Sequence, residues 1–97
     1  MKITWSPLAV ERLQGISDFI SKDNITAANK LVDNIFRKVG SLTRYYLRGR
    51  IVPEANRQDI REVFVKEYRI IYRIEPRKIF ILTIRNFLQL IPEKDLE

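Results

Sequence analysis

The 97-residue chain contains no histidine and no cysteine, and it has only three glycines and one tryptophan. Without histidine and cysteine, the usual ligand sets of protein zinc sites are missing. Catalytic triads of the Ser-His-Asp kind and Cys-His pairs are excluded as well. Any catalysis therefore has to use arginine, lysine, tyrosine, aspartate or glutamate, and we expect neither a metal ion nor another cofactor.

Long apolar runs are also missing from the chain. No stretch approaches the roughly 20 apolar residues that a membrane-spanning helix needs, and the N-terminus lacks the pattern of a signal peptide. The lack of cysteine agrees with a reducing compartment. We therefore expect a cytoplasmic protein that does not associate with membranes. Its length and its 45% hydrophobic content predict a single domain over residues 1–97, with residues 92–97 as a loose tail.

The net charge of +6 is unevenly distributed. Residues 1–43 contribute +2, residues 44–91 contribute +6 and residues 92–97 contribute −2, and nine of the eleven bases in the middle block are arginines. The planar guanidinium of arginine suits phosphate and carboxylate groups. An RNA or DNA backbone or an acidic protein segment is therefore a candidate partner. Net charge alone fits a merely basic surface equally well.

The first half of the chain has the pattern of one strand followed by two helices. Residues 2–5 alternate and predict a short strand. A Ser-Pro pair then predicts the start of a helix that ends near Lys22, because proline is favoured at the first helical position. Asp23 or Asn24 can cap a second helix that runs to about residue 42. The short connection predicts an antiparallel α-hairpin.

In the second half, the hydrophobic period changes from about 3.6 to 2. Strands are predicted over residues 50–54, 60–65, 68–74 and 78–85. The connections of two and three residues between the last three strands require antiparallel hairpins. The order β-α-α-β-β-β-β predicts an α+β fold, in which the helical hairpin lies on one face of a mainly antiparallel sheet.

The turn at residues 66–67 sets the register of the two central strands. A two-residue turn pairs Val65 with Tyr68 and Phe64 with Arg69. The face under the helices then carries Val63, Val65, Tyr68, Ile70, Tyr72 and Ile74. The opposite face carries Ile60, Glu62, Phe64, Arg69, Ile71 and Arg73, and an even register in the last hairpin would add Phe80 and Leu82 to it.

This opposite face raises the question of what two arginines do on a small sheet. If both helices cover the first face, the second is open, and an apolar patch rimmed by arginines is typical of a protein-binding surface. A competing interpretation is that Glu62 pairs with Arg69 and Arg73 while loops close over the aromatic side chains. We favour the open binding surface, and on that basis we expect Arg69→Ala to leave the fold intact.

The motifs, in their order along the chain, resemble the RelE/ParE superfamily of type II toxin–antitoxin toxins. They are the opening "ITWSPLA", then "GRIVPE", "IREVFVKEYRIIYRI" and "ILTIRNFLQLIP", and the likeness spans about residues 3–91. The resemblance implies a growth-inhibiting toxin that a cognate antitoxin neutralises. An acidic, disordered antitoxin segment that folds on binding would suit a face that is basic and partly apolar. The candidate antitoxin contacts are Phe64, Ile71, Arg73, Phe80 and Leu82.

The resemblance leaves the cellular target open. RelE-like members cleave mRNA on the ribosome with a cluster of basic side chains, and Arg61, Arg69 and Arg85 are the candidate catalytic residues here. Asn86 and Leu88 stand where that branch often has histidine and arginine. ParE-like members, thought to inhibit DNA gyrase by binding, do not need this cluster, so we slightly favour gyrase. A degenerate toxin that only binds its antitoxin, or an unrelated interaction module, would also fit the sequence.

Further basic residues are candidates for contact with the target. Four arginines are predicted to contact the target or a nucleic acid: Arg48, Arg50, Arg69 and Arg73. Around the connection after the second helix, basic and aromatic residues alternate, with Tyr45 and Tyr46 among arginines. Such interleaving can bind RNA through phosphate contacts and stacking. We favour the alternative interpretation, in which one tyrosine packs on the helix end while the arginines are solvated.

Overall fold

The computed structural model, which describes residues 1–97, contains five strands, two α-helices and one 3-10 helix. The strands are β1 (Lys2–Trp5), β2 (Arg50–Ile51), β3 (Ile60–Val65), β4 (Tyr68–Ile74) and β5 (Lys78–Asn86). The helices are α1 (Pro7–Ser21), α2 (Ile25–Ser41) and the C-terminal 3-10 helix (Glu93–Leu96). The predicted order of elements and the α+β fold are confirmed. Neither α-helix combines the length and the apolar character needed to cross a bilayer.

All five strands belong to one mixed sheet, in the order β1-β5-β4-β3-β2. The first strand runs parallel to β5, and every other neighbouring pair is antiparallel. The predicted pairing of Val65 with Tyr68 and of Phe64 with Arg69 is confirmed. The first strand in the sequence, β1, therefore pairs with the last strand, β5.

Local side-chain bonds explain where the two helices begin. The Ser6 hydroxyl accepts a hydrogen bond from the Ala9 N–H at 2.9 Å, and it donates one to the Leu82 carbonyl at 2.8 Å. This second bond fixes the start of α1 to β5. In α2, the Asn24 side chain accepts from the Ala27 N–H at 3.0 Å, so Asn24 rather than Asp23 is the cap.

The main core lies between the helical hairpin and the first face of the sheet, as predicted. It contains thirteen buried residues: Ala9, Leu13, Leu31, Ile35, Val39, Leu42, Val63, Val65, Ile70, Tyr72, Ile79, Ile81 and Ile84. Each helix contributes apolar side chains at helical spacing, which form a stripe along one side of the helix. The strands contribute alternate residues, which form one face of the sheet, and the stripes pack on that face.

The second face of the sheet is not open, and that prediction is wrong. It carries its own buried cluster, formed by Val52, Ile60, Ile71, Leu82 and Ile91. The second strand ends at Ile51, so the chain after it is free to fold back over the sheet, and the segment from Ile91 to Leu96 covers the rest. Residues 92–97 are accordingly not a loose tail, because the 3-10 helix buries Asp95.

A β-bulge in β5 decides which residues reach this second cluster. Ile71 pairs with Thr83 whereas Tyr72 pairs with Ile81, so Leu82 is the extra residue. An extra residue bends the strand and resets the alternation of its side chains. Leu82 and Thr83 therefore both contribute buried side chains near the C-terminal segment.

Gly49 lies where the chain passes close to the sheet. Its N–H donates to the Tyr72 hydroxyl at 3.0 Å, and that hydroxyl donates to the Tyr46 carbonyl at 2.8 Å. A Cβ at this position would lie 2.5 Å from the Glu62 carbonyl oxygen and 2.6 Å from the Tyr72 oxygen. Only glycine leaves room for this approach.

We expect Gly49→Ala to lower the free energy of unfolding by about 2 kcal/mol, in the range of overpacked cores. Gly15→Ala is the matched control, because a Cβ at Gly15 in α1 meets nothing within 4 Å. The control should instead raise stability by up to about 1 kcal/mol, since alanine is the better helix former. Urea denaturation of both variants measures the difference, and equal stabilities would contradict the close approach.

Candidate functional site

Arg69 is buried in the second face of the sheet, with 5% of its surface exposed. Its two terminal nitrogens donate to the two carboxylate oxygens of Glu54, each at 2.8 Å, in a bidentate pair. One of them also donates to the Gln89 carbonyl at 3.2 Å. The same Glu54 carboxylate accepts from the Ile91 N–H at 3.0 Å. One guanidinium thus ties β4 to both segments that cover the sheet.

A second carboxylate completes the neutralisation of this site. The side chain of Glu62 is fully buried, and it accepts from the Arg69 Nε at 2.5 Å and from the Arg50 Nε at 2.7 Å. The guanidinium of Arg50 in turn lies 5.3 Å from the centre of the Phe64 ring. Two arginines and two glutamates therefore form one network with no net charge, which we call the Arg69 network.

The electrostatics of the network follow from this geometry. The hydrogen bonds from Arg69 lower the pKa of Glu54 from its usual 4.5 to about 2, although partial burial acts in the opposite direction. The hydrogen bonds to Glu54, and then those to Glu62, raise the pKa of Arg69 above its already high ordinary value. Arg69 is therefore permanently charged and cannot exchange a proton near neutral pH.

The other two candidate catalytic arginines are partly buried, and both bond to other groups of the chain. Arg61 donates to the Gly49 carbonyl at 3.0 Å and to the main chain and side chain of Gln58. Arg85 pairs with the buried carboxylate of Asp95 at 3.2 Å, and that carboxylate also accepts from Arg12 at 3.1 Å. The three arginines thus do not converge on one open position. No group of three histidine, cysteine, aspartate or glutamate residues is arranged to bind a metal ion.

An open groove of about 520 Å³ lies beside the Arg69 network, and we call it the Phe64 groove. Its lining consists of Arg50, Pro53, Glu54, Phe64, Arg69, Phe87 and Leu90. The rings of Phe64 and Phe87 are about half exposed and Leu90 is 81% exposed. Apolar side chains beside charged ones in an open concavity are typical of a surface that receives another molecule.

The predicted antitoxin contacts divide into exposed and buried residues. Phe64 is 40% exposed, and Phe80 and Arg73 are partly exposed, with the Arg73 guanidinium 5.3 Å from the Phe80 ring. Ile71 and Leu82 are buried under the covering segments, so they are not available to a partner. The contacts that remain accessible stay predictions.

The predicted target contacts divide in the same way. Arg48 is exposed and makes no ion pair, Arg50 is exposed but bonds Glu62, and Arg73 pairs with Glu75 at 2.9 Å. Arg69 is buried, so its predicted place on an exposed face is wrong. The competing expectation that Glu62 pairs with these arginines is confirmed for Arg69 but not for Arg73, whose acidic partner is Glu75.

Sequence reasoning missed the residues that neutralise Arg69 and those that extend the groove. The alternation at residues 50–54 predicts that Glu54 is the last residue of a strand. A proline directly before it ends the strand, however, and a glutamate that follows can fold back onto the sheet. Phe87 and Leu90 lie in a segment whose sequence has no hydrophobic periodicity. The one signal for a binding surface there was that large apolar residues occur in a stretch that forms no helix or strand.

We expect Arg69→Ala to lower the free energy of unfolding by about 3–5 kcal/mol, because removing one partner leaves buried carboxylate without its counter-charge. Arg73→Ala is the matched control on the same strand and face. Its ion pair with Glu75 is partly exposed, so its loss should cost no more than about 1 kcal/mol. Chemical denaturation measures both variants. Equal, small losses would show that the covering segments do not depend on Arg69.

The depressed pKa of Glu54 predicts an acid-sensitive contribution to stability. A carboxyl whose pKa is lower in the folded state stabilises the fold fully above its unfolded value of 4.5, and this contribution is lost as the pH falls towards about 2. Glu54→Gln removes the group that titrates. The difference in unfolding free energy between wild type and Glu54→Gln should therefore be largest above pH 4.5 and shrink steadily below it. A difference that does not vary with pH would contradict the ion pair.

Comparison with known proteins identifies the family. A family model described as ParE toxin of type II toxin-antitoxin system, parDE, matches residues 3–87. A solved structure described as the chromosomal ParDE toxin–antitoxin system from P. aeruginosa superimposes with a TM-score of 0.73 at 22% identity, and the match covers 89% of this chain and 95% of that chain. No curated protein sequence matches the chain. Because the family model spans most of the sequence, this protein belongs to the ParE toxin family of type II toxin–antitoxin systems.

Proposed function

We propose that this protein inhibits growth by binding DNA gyrase stoichiometrically in the cytoplasm, and that it does not cleave RNA. The observation that carries the proposal is that all three candidate catalytic arginines are engaged within the chain. Arg61 bonds main-chain and side-chain oxygens, Arg69 lies between two glutamates, and Arg85 pairs with Asp95. Arg69 and Arg85 are neutralised by carboxylates, and Arg61 is held by neutral oxygens, so the three do not form one free cluster for a scissile phosphate.

The chemistry of RNA cleavage supports the same choice. Attack by a ribose 2′-hydroxyl needs a base to accept a proton and an acid to release the leaving oxygen. Arginine stays protonated at neutral pH, and the chain contains no histidine. Asn86 and Leu88, which stand where a nuclease of this superfamily often has histidine and arginine, supply neither group. Inhibition by binding requires only a complementary surface.

We also propose that the Phe64 groove receives the antitoxin. An acidic segment could place an apolar anchor against Phe64, Phe87 and Leu90, while its carboxylates approach Arg50 at the rim. The side chains that make this groove apolar are already exposed in the free protein. No rearrangement of the Arg69 network is needed for binding there.

Two assays on the purified toxin distinguish gyrase inhibition from RNA cleavage and from antitoxin binding alone. In a supercoiling assay with gyrase and relaxed plasmid, we expect inhibition that saturates near one toxin per gyrase subunit. In a purified translation system with ribosomes paused at defined codons, we expect the mRNA to remain intact at the same concentrations. Codon-dependent cleavage would instead establish the ribonuclease branch, and inactivity in both assays would identify a toxin that only binds its antitoxin.

The groove is tested with the cognate ParD-type antitoxin. Leu90→Ser should weaken the complex about tenfold or more if Leu90 receives a buried apolar anchor, because such contacts dominate interface energies. Ile25→Ser is the matched control, since Ile25 is also largely exposed but lies at the start of α2 outside the groove. Calorimetric titration measures both affinities. Equal affinities for the two variants would place the antitoxin elsewhere.

A further inference from the structure

A group of five basic residues without acidic partners surrounds the end of α2 and the β3–β4 turn. They are Arg37, Lys38, Arg44, Arg48 and Lys66, and we call them, with Tyr45, the basic surface. They line two adjoining open depressions of about 550 and 490 Å³ that share Arg48. No aspartate or glutamate lines either depression.

The cations of the basic surface differ in this respect from the bases that form ion pairs elsewhere in the chain. Seven other bases form ion pairs within the chain: Arg12, Arg50, Arg57, Arg69, Arg73, Lys78 and Arg85. In the basic surface, Arg48 bonds only the Ser41 hydroxyl at 3.0 Å, and Arg37 bonds only the Asn34 side chain at 2.9 Å. Neutral partners orient these groups but leave their charge available to an anion.

Tyr45 gives the basic surface an aromatic platform. Its ring is about half exposed, and the guanidinium carbons of Arg44 and Arg48 lie 5.9 and 6.0 Å from its centre. The neighbouring Tyr46 packs against the main core instead. A half-exposed ring beside two guanidinium groups can stack a nucleobase when these groups move to contact the adjoining phosphates.

Lys66 occupies a backbone conformation that does not favour lysine. Its φ of 52° lies in the left-handed region, where glycine is more stable by roughly 1 kcal/mol. A glycine there would suit the two-residue turn better. The turn instead keeps a side chain that lines the basic depression. The conformational cost of Lys66 in the turn is therefore consistent with a role for its positive charge on the basic surface.

We propose that the basic surface binds single-stranded nucleic acid, with the cations on the phosphates and Tyr45 stacked on a base. An acidic peptide would use the charges but not the stacking platform, and a duplex would keep its bases away from Tyr45. The inference is independent of the gyrase proposal. Because the proposed contacts are to phosphates and to the face of a base, binding depends on strand character rather than on sequence.

Fluorescence anisotropy with labelled oligothymidine and oligouridine probes, each about twelve nucleotides long to fit one binding site, tests the proposal on the full-length protein. We expect affinity to fall with salt at a log–log slope of about −3.5 if all five cations contact phosphates. Arg48→Gln should reduce that slope by about 0.7. Tyr45→Leu should weaken binding about tenfold, while Tyr45→Phe should retain it, because stacking needs the ring and not the hydroxyl. The tighter of the two probes identifies DNA or RNA as the preferred strand.

Two controls separate this site from a general charge effect. Arg77→Gln makes the same charge change at an exposed turn at the opposite end of β4, and it should leave the affinity within about twofold. Lys66→Gly should weaken binding yet leave the melting temperature equal or higher, an outcome that a purely structural lysine would not give.

Three results would overturn the proposal. One is equal binding by Arg77→Gln and Arg48→Gln with identical salt slopes. Another is a Tyr45→Leu variant that binds as tightly as wild type. The third is polyglutamate or duplex DNA that binds at least as tightly as the single strands, which would assign the basic surface to an acidic protein or to a duplex. None of these measurements contains gyrase, so their failure and a failure of the gyrase proposal are distinguishable.

Discussion

The buried guanidinium of Arg69 is the constraint on which the second half of the molecule depends. A charge in a sheet face away from water is tolerated only when it is paired and hydrogen-bonded. Glu62 is supplied by the neighbouring strand, but Glu54 has to come from the loop after β2, and the Gln89 carbonyl from the C-terminal segment. Both segments must therefore fold over the sheet, and in doing so they bury the second apolar cluster. Buried ion pairs often add little net stability, so what the network contributes is the fixed position of these segments.

The basic character of the protein is consequently divided between two uses. Arg69 and Arg85, on the interior strands β4 and β5, are paired with carboxylates inside the chain. The cations at the end of α2 and the β3–β4 turn have no acidic partner and lie together, so they form one surface of unneutralised charge. Between these two regions lies Phe64, whose ring lines both the groove and one depression of the basic surface. A single sheet can in this way offer an apolar surface and an anionic ligand surface side by side.

The limits of sequence reasoning appear at particular residues. The alternation from Tyr68 to Ile74 correctly assigned each side chain to one of two faces, because the period of a strand is 2. It could not say what covers a face, since the covering segments at residues 52–56 and 91–96 have no period of their own. The bulge at Leu82 was equally hidden, because one extra residue changes the alternation without any composition signal. The incorrect expectation that Arg69 is exposed followed from the first of these gaps, the unrecognised covering segments.

By itself the sequence determined the order of the elements, the start of the first helix, the register of the central hairpin and the family motifs. All of these depend on neighbouring residues or on short connections. The lack of histidine and cysteine likewise limits the proton-transfer and metal chemistry of the protein through composition alone. Only the tertiary structure decided which charged side chains form ion pairs within the chain and which do not. The reason is that Glu54, Arg69 and Gln89, or Arg12, Arg85 and Asp95, are brought together from distant positions by the closing of loops. No local pattern records that closing, because its energy comes from contacts that exist only once the sheet has formed.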